Sequence, residues 1–152
     1  MTPIEMHPNT KPGYKFLSHT TDAYIQATGS SMEQAFEYAG QALFDTFCEL
    51  KSITPTISDT IEFQGSDEVN LLYDWLEKTF LKFELDGMVY AKFQLEPIIV
   101  KGTTLYGKAT AIGEKYDKHK HGAKVEVKAV TYHRMAIKRD ENVTVLTFIL
   151  DL

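Results

Sequence analysis

The sequence predicts an α+β fold, a two-layer sandwich with two helices packed on one face of a mostly antiparallel β-sheet. Two stretches carry apolar residues at the 3.6-residue spacing of a helix, within 32–47 and 69–83. Runs with alternating apolar residues lie before and between these stretches, and only such runs follow residue 87. The resulting order, ββαβα and then four strands, is typical of helices segregated to one face of an antiparallel sheet.

The first 13 residues are predicted to be a flexible lead-in, followed by a single domain over 14–152. The lead-in contains three prolines and lacks the apolar stretch of a secretory signal. The domain begins with two predicted strands, at 14–18 and 23–27, and Gly29 ends the second. The polar sequence His19-Thr20-Thr21-Asp22 separates these two strands.

Each predicted helix begins at a recognisable capping residue. Ser30 is followed three positions later by Glu33, the spacing of a capping box, and the helix continues to near Leu50. Ser66 or Asp67 is expected to cap the second helix, after a short strand at 60–64. The remaining strands are predicted at 88–96, 104–114, 125–137 and 143–152, with a hairpin turn at 140–142 between the last two.

The composition is that of one globular domain with an acidic balance. Of the 152 residues, 43% are hydrophobic and 24% charged, and the net charge of −5 argues against broad, non-specific nucleic-acid binding. No stretch reaches the roughly 18 apolar residues of a membrane span. The single cysteine, Cys48, lies in a helical pattern and is expected to be a buried hydrophobe rather than a nucleophile. A reducing compartment follows from this cysteine usage, and the cytoplasm is the predicted location.

The stronger catalytic signatures are absent from the sequence. It contains no glycine-rich phosphate loop, no nucleophile elbow, no cysteine-pair zinc site and no helical His-Glu-x-x-His. An enzyme that acts on its own would therefore need a less recognisable arrangement of residues.

Acidic groups lie at the first inter-strand corner and at the end of the sequence. Asp151 and the α-carboxylate of Leu152 follow a strongly apolar strand, and Asp22 closes the corner that contains His19. These positions are also typical of a turn that bonds its own backbone and of a solvated strand end. If the corner and the strand end converge, their oxygens form a site suited to Ca²⁺ or Mg²⁺ rather than to zinc.

Two basic features complete the candidates. Lys128 lies within an otherwise apolar predicted strand, where a lysine either protects a sheet edge or points at a phosphate or a partner's carboxylate. His119 and His121 have metal-binding spacing, but their lysine-rich loop favours a solvated surface and, more weakly, contact with RNA phosphates.

Several motifs, taken in order, resemble the archease family. The segment Phe16-Leu17-Ser18-His19-Thr20-Thr21-Asp22 is similar to the family's opening Phe-Leu-x-His-Thr-x-Asp. The segment Leu71-Leu72-Tyr73-Asp74-Trp75-Leu76 is similar to its Leu-Leu-x-x-Trp-Leu. Gly113-Glu114, residues 127–133 and the closing Leu150-Asp151-Leu152 follow in the family's order, so the resemblance runs from residue 14 to residue 152. Thr21 and Leu152 depart from the family's more usual Ala and Ile.

The resemblance implies an accessory protein rather than an independent catalyst. Archeases assist the RtcB-type RNA ligase, which joins tRNA exon halves or repaired RNA ends with GTP and manganese, by promoting ligase guanylylation and repeated turnover. Carried over position by position, the family's metal site corresponds to Asp22, Asp151 and Leu152, and its functional strand lysine to Lys128. The implied cofactor is a divalent cation, calcium first, with magnesium or manganese as alternatives. His19 is a further candidate functional residue because it belongs to the same motif as Asp22.

Two other functions remain open from the residues alone. A small metal-dependent hydrolase could use Asp22 and Asp151 with His19 as general base, and it would turn over a phosphoester or ester without a ligase. A chaperone-like or RNA-binding module could use the loop around His119 and His121, and its RNA binding would be sensitive to salt.

Overall fold

Eight strands and three α-helices make up the part of the chain described by the computed structural model, residues 11–17 and 22–152. The strands are β1 Gly13–Leu17, β2 Ala23–Gly29, β3 Ile57–Gly65, β4 Met88–Leu95, β5 Ile99–Lys101, β6 Thr104–Lys115, β7 Ala129–Arg139 and β8 Thr144–Asp151. The helices are α1 Met32–Phe47, α2 Glu68–Asp86 and the short α3 Lys118–His121. Most of the predicted lead-in, and the corner that contains His19, lie outside the described residues.

The strands form two antiparallel sheets. In the first sheet the order is β1-β2-β8-β7, so β8 is an inner strand between β2 and β7. In the second sheet β6 lies between β3 on one side and β4 followed by β5 on the other. The α+β class is confirmed, but the strands do not build the one continuous sheet that was expected.

The helices connect the two sheets. Helix α1 packs on β2 of the first sheet and on β4 of the second, whereas α2 packs on β3 of the second and on β7 of the first. Each helix therefore packs against both sheets and helps to enclose the hydrophobic core between them. Alternating apolar residues indicate which face of a strand is buried, but they do not indicate which strand lies beside it. The division of the strands into two sheets was therefore not predicted.

The cap of α1 lies one residue later than predicted. Ser31, not Ser30, is the N-cap, and its hydroxyl oxygen accepts a hydrogen bond of 3.1 Å from the Gln34 backbone N–H. The Gln34 side chain in turn accepts a 2.7 Å hydrogen bond from the backbone N–H of Ser30, the residue before the N-cap, so the return bond reaches one residue beyond that of a standard capping box. Glu33 is therefore free of the cap.

Helix α2 begins at the predicted cap Asp67 and ends at Gly87, whose φ of 65° is the left-handed conformation that glycine adopts at little cost. Its central residue is Trp75, which is fully buried. The indole N–H of Trp75 donates a 2.8 Å hydrogen bond to the backbone carbonyl of Phe36 in α1. This bond and the surrounding aromatic rings hold the two helices together inside the core.

Acidic side chains of α1 cover the free edge of β4. Glu37 accepts a hydrogen bond of 2.8 Å from the backbone N–H of Leu95, and Glu33 accepts one of 2.9 Å from that of Ile98. These N–H groups lie where β4 gives way to β5, and α1 supplies the acceptors that a neighbouring strand would otherwise provide.

Three local elements differ from prediction. The seventh strand begins at Ala129 rather than at residue 125, since residues 122–128 form an irregular connection. The short strand β5 and the single-turn helix α3 were not predicted, because both are shorter than the patterns by which periodicity is recognised. The 140–142 turn is confirmed, with Asp140 Oδ1 accepting from the N–H groups of Asn142 and Val143.

Cys48 is buried and its thiol donates to the Phe44 carbonyl at 3.3 Å, in agreement with the expectation of a small core residue. Burial raises the pKa of the Cys48 thiol to about 12, which removes it as a nucleophile at neutral pH. Within residues 11–17 and 22–152, no helix has both the length and the apolar character needed to cross a membrane.

Candidate functional site

Two carboxylates lie at the same end of the first sheet. Ala23 of β2 pairs with Leu150 of β8, so Asp22, one residue earlier, lies across from Asp151. Residues that face each other on antiparallel neighbours have Cβ atoms about 4.5–5.5 Å apart, and like charges in that relation are unfavourable. Asp151 is exposed and Asp22 is partly exposed, so a cation can reach both. We call Asp22, Asp151 and Leu152 the acidic edge.

Leu152 is held in place by its own side chain. It is partly buried and packs against the hydrophobic core, next to the fully buried Leu150 of the same strand. Because β8 is an inner strand, the backbone that carries Asp151 is bonded on both sides, to β2 and to β7. The acidic edge is therefore attached to a rigid element.

Lys128 lies beside the acidic edge, immediately before β7 rather than inside a strand as predicted. Its backbone N–H donates a 2.8 Å hydrogen bond to the carbonyl of Asp151. Its side chain lines a cavity of about 210 Å³ together with Tyr73, Glu77 and Glu84 of α2. Lys128 is exposed, and its ammonium makes no ion pair with any residue of the described segments.

The donor set of the acidic edge is restricted to oxygen. Across residues 11–17 and 22–152, no three His, Cys, Asp or Glu side chains lie close enough to one another to hold a metal ion. Among the described residues, the carboxylates at this position are those of Asp22 and Asp151, and further oxygens would come from Leu152 or from solvent. Such a set fits a hard cation such as Ca²⁺, Mg²⁺ or Mn²⁺ and does not fit zinc.

His119 and His121 do not form a metal-binding pair. His121 is almost completely buried, and its Nδ1 accepts a 2.9 Å hydrogen bond from the Asp117 backbone N–H. The proton of this ring therefore sits on Nε2, which is 2.7 Å from Glu114 Oε2. His119 is exposed, so the expectation of a solvated surface holds for His119 and is wrong for His121.

The Glu114 carboxylate accepts hydrogen bonds from three donors. Besides His121, the Lys120 ammonium lies 2.8 Å from its Oε2, and the Thr54 backbone N–H donates to the same oxygen at 2.9 Å. These hydrogen bonds, that of Lys120 first, lower the pKa of Glu114 to about 2. The carboxylate joins the loop after the first helix to the turn of α3.

We expect Glu114→Gln to destabilise the protein at neutral pH, with a loss that disappears in acid. The pKa of Glu114 is depressed in the folded protein, so its contribution is complete above the ordinary value of 4.5 and is lost as the pH falls towards 2. Urea unfolding of the parent and of Glu114→Gln, followed by Trp75 fluorescence between pH 2 and pH 8, checks this. A difference in unfolding free energy that stays constant down to pH 2 would contradict it.

One further polar residue of the first sheet is not indicated by any motif in the sequence. Arg134 lies in an irregular part of β7, where its φ of 56° is left-handed, and its guanidinium carbon is 5.9 Å from the ring centroid of Tyr24. The irregularity depends on how β7 pairs with β8, and no motif or spacing in the sequence indicates it.

Comparison with known proteins agrees with this architecture. The Archease protein family (MTH1598/TM1083) matches residues 14–152. Protein archease of Sulfurisphaera tokodaii is 37% identical over 139 residues, covering 91% of this chain and 98% of that protein. Protein archease of Methanopyrus kandleri is 35% identical over 136 residues, covering 90% of this chain and 96% of that protein.

Two solved structures share the fold. The solution structure of Methanobacterium thermoautotrophicum protein 1598 has a TM-score of 0.76 and 33% identity, and covers 92% of this chain and 99% of its own. The crystal structure of a Thermotoga maritima archease, named a possible chaperone, has a TM-score of 0.55 and 21% identity, and covers 97% of this chain and all of its own. The second likeness concerns the fold alone. From the family match and the identity to its members, this chain belongs to the archease family.

Proposed function

We propose that this protein is a metal-binding accessory protein of an RtcB-type RNA ligase, acting in tRNA splicing or RNA repair. Its task would be to promote guanylylation of the ligase and to allow repeated turnover. The observation that carries the proposal is the register of the first sheet, which pairs Ala23 with Leu150 and so brings Asp22 across from Asp151. Membership of the archease family supports the partner.

The cofactor in this proposal is a divalent cation, with Ca²⁺ preferred over Mg²⁺ and Mn²⁺. Two opposed carboxylates and an α-carboxylate supply only hard oxygen donors, and Ca²⁺ accepts such sets with flexible geometry. Bound there, the ion would neutralise the negative charge of the acidic edge and offer open positions to oxygens of a partner or a nucleotide.

The remaining residues of the proposed site are Leu152, which would position a ligand of the cation, and Lys128, which would bind the partner. Leu152, fixed by its packing on the core, would hold the last carboxylate in one position. Lys128, which has no ion-pair partner among the described residues, presents a cation beside it. We infer that this end of the first sheet docks at the nucleotide pocket of the ligase, where Lys128 meets a phosphate or a ligase carboxylate. The protein would be an activator rather than an enzyme, at work in the cytoplasm, with RNA touched only through the ligase.

Multiple-turnover RNA ligation with substoichiometric ligase tests this function. The parent protein is expected to raise the number of ligations per ligase, and Asp22→Ala, Asp151→Ala and Lys128→Ala to lower that stimulation by roughly 10- to 100-fold, the usual size of effects on metal sites. A few residues added after Leu152 convert its carboxylate into an amide and are expected to have the same effect.

Exposed charges of the second sheet give matched controls. Glu62→Ala and Lys108→Ala each remove one exposed charge far from the acidic edge and should stimulate ligation like the parent. If Asp22→Ala, Asp151→Ala and Lys128→Ala all remain folded and still stimulate fully, the site is wrong. Hydrolysis of a phosphoester by the purified protein without ligase would instead favour the metal-dependent hydrolase.

A further inference from the structure

Arg134 is placed by a large bulge of β7. Between the pairs Thr131–Ile149 and Ala136–Thr147, β7 advances five residues while β8 advances two. The Arg134 carbonyl accepts a 3.1 Å hydrogen bond from the Thr147 hydroxyl, which fixes the bulge against β8. Arg134 also has the only positive φ of any non-glycine residue within 11–17 and 22–152. Bulges of this kind re-aim a side chain relative to the regular strand.

The bulge brings the Arg134 guanidinium to the face of the sheet that carries the two carboxylates. The guanidinium lies by the ring of Tyr24, which pairs with Ile149. Tyr24 is two residues from Asp22, and Ile149 is two residues from Asp151, so the four side chains share one face of the sheet. The Tyr24–Ile149 pair and the Asp22–Asp151 pair are about 7 Å apart along the strands. The guanidinium thus contacts the row of side chains next to that of Asp22 and Asp151 on the same face.

The Lys128 side chain lies on the opposite face of the first sheet. Val130 pairs with Leu150, whose side chain belongs to the core, and Lys128 is two residues before Val130. In agreement with this alternation, Lys128 lines the cavity against α2. The registers place Lys15 and Lys138 on the same face as Asp22 and Asp151, but both lie further along the strands from the acidic edge than the Tyr24 position that Arg134 contacts. Arg134, not the lysine to which the family resemblance points, is therefore the cation of this face that lies closest along the strands to the acidic edge.

The chemistry of this arrangement suits an oxyanion. Within the described segments no carboxylate forms an ion pair with the Arg134 guanidinium, so its N–H donors are available beside the contact with the Tyr24 ring. A guanidinium matches two oxygens of a phosphate with parallel hydrogen bonds. A neighbouring divalent cation, where present, binds phosphate oxygens as well, so the two positive groups favour the same ligand.

We propose that Arg134 binds a phosphate group of the guanine nucleotide while the ligase is being guanylylated. This inference rests on the proposed function and adds a residue outside the set that the resemblance supplies. Arg134 acts as a binding group for GTP phosphate, and it is expected to set the affinity for the nucleotide rather than the rate of the chemical step.

Single-turnover ligase guanylylation at increasing GTP, with the accessory protein saturating, tests the proposal. Arg134→Ala is expected to raise the apparent KM for GTP about tenfold, the effect of losing one charge-assisted hydrogen bond, and to leave the maximal rate within about twofold. Arg134→Lys should recover part of the affinity because it keeps the charge. Arg139→Ala, in the same strand but paired with Glu68 at the far end, is the matched control and should behave like the parent.

Arg134→Gly separates binding from folding. Glycine adopts the left-handed conformation without strain, so this variant should melt at or above the temperature of the parent and still show the raised KM. If the parent stimulates the ligase while Arg134→Ala keeps the parental KM for GTP, the phosphate assignment is wrong and the proposed function stands. In a ligation assay with the same proteins, a change in the KM for the RNA ends with none in the KM for GTP also overturns it. Absence of stimulation by the parent itself rejects the proposed function together with this inference.

Discussion

Replacing Trp75 with alanine is expected to lower the free energy of unfolding by about 3–5 kcal/mol, a large part of the roughly 5–15 kcal/mol that holds a domain of this size together. The side chain is fully buried, and its ring lies 4.9 Å from Phe63 and 5.4 Å from Phe93, centroid to centroid. Removal would leave a cavity between the helices and the second sheet. It would also leave the Phe36 carbonyl without its indole donor.

Thermal and urea unfolding followed by circular dichroism measure this effect, because the variant lacks the fluorescent reporter. Trp75→Phe keeps most of the ring volume and should lose about 1–3 kcal/mol through the missing N–H donor and the smaller ring. Leu85→Ala is the control on the same helix, since Leu85 is 77% exposed, and should change stability by less than about 0.5 kcal/mol. A loss below about 1 kcal/mol for Trp75→Ala would show that the core refills the space.

Gly113→Ala is expected to cost about 3 kcal/mol through a clash that the fold cannot relieve. A Cβ atom at Gly113 would overlap the backbone carbonyl oxygen of Val89. Gly113 lies in the middle strand of the second sheet and pairs with Ile57 on one side and Tyr90 on the other. Both strands would have to move apart, whereas a clash with the end of a flexible side chain would be relieved by rotation.

Urea unfolding monitored by Trp75 fluorescence gives the change for Gly113→Ala. Ser58→Ala, an exposed position on the neighbouring β3, serves as control and should stay within about 0.5 kcal/mol of the parent. Equal stability of the glycine and alanine forms would mean that the irregular pairing between Tyr90 and Lys92 absorbs the added methyl group.

Local signals in the sequence predicted local structure. The two helices follow from apolar spacing, and the sequence predicts Ser66 or Asp67 as the cap of the second helix. In the structure the cap is Asp67, whose side chain accepts a 2.8 Å hydrogen bond from the Asn70 backbone N–H. The cap of α1 was displaced by one residue because Ser30 and Ser31 both have a partner three positions later that can complete the box. Sequence alone does not distinguish two equally spaced alternatives.

Features that depend on the pairing of distant segments could not be predicted from the sequence. That Asp22 lies across from Asp151 depends on the register between β2 and β8, which are separated by most of the chain. The face on which Arg134 lies depends on the bulge against β8, and the burial of His121 depends on Glu114 and Asp117. Each of these is decided by the packing of distant segments, to which residue spacing within one segment is insensitive.

The contacts of Glu33 and Glu37 with backbone N–H groups at the end of β4 have a consequence for behaviour at high concentration. An open strand edge is a template on which another molecule can add a strand, and this is the usual first step towards fibrils. Here both donors are already bonded to carboxylates of α1, at 2.8 and 2.9 Å. The resistance of this strand edge to aggregation therefore depends on α1. Sequence changes in α1 that leave the core intact could still allow the protein to form fibrils.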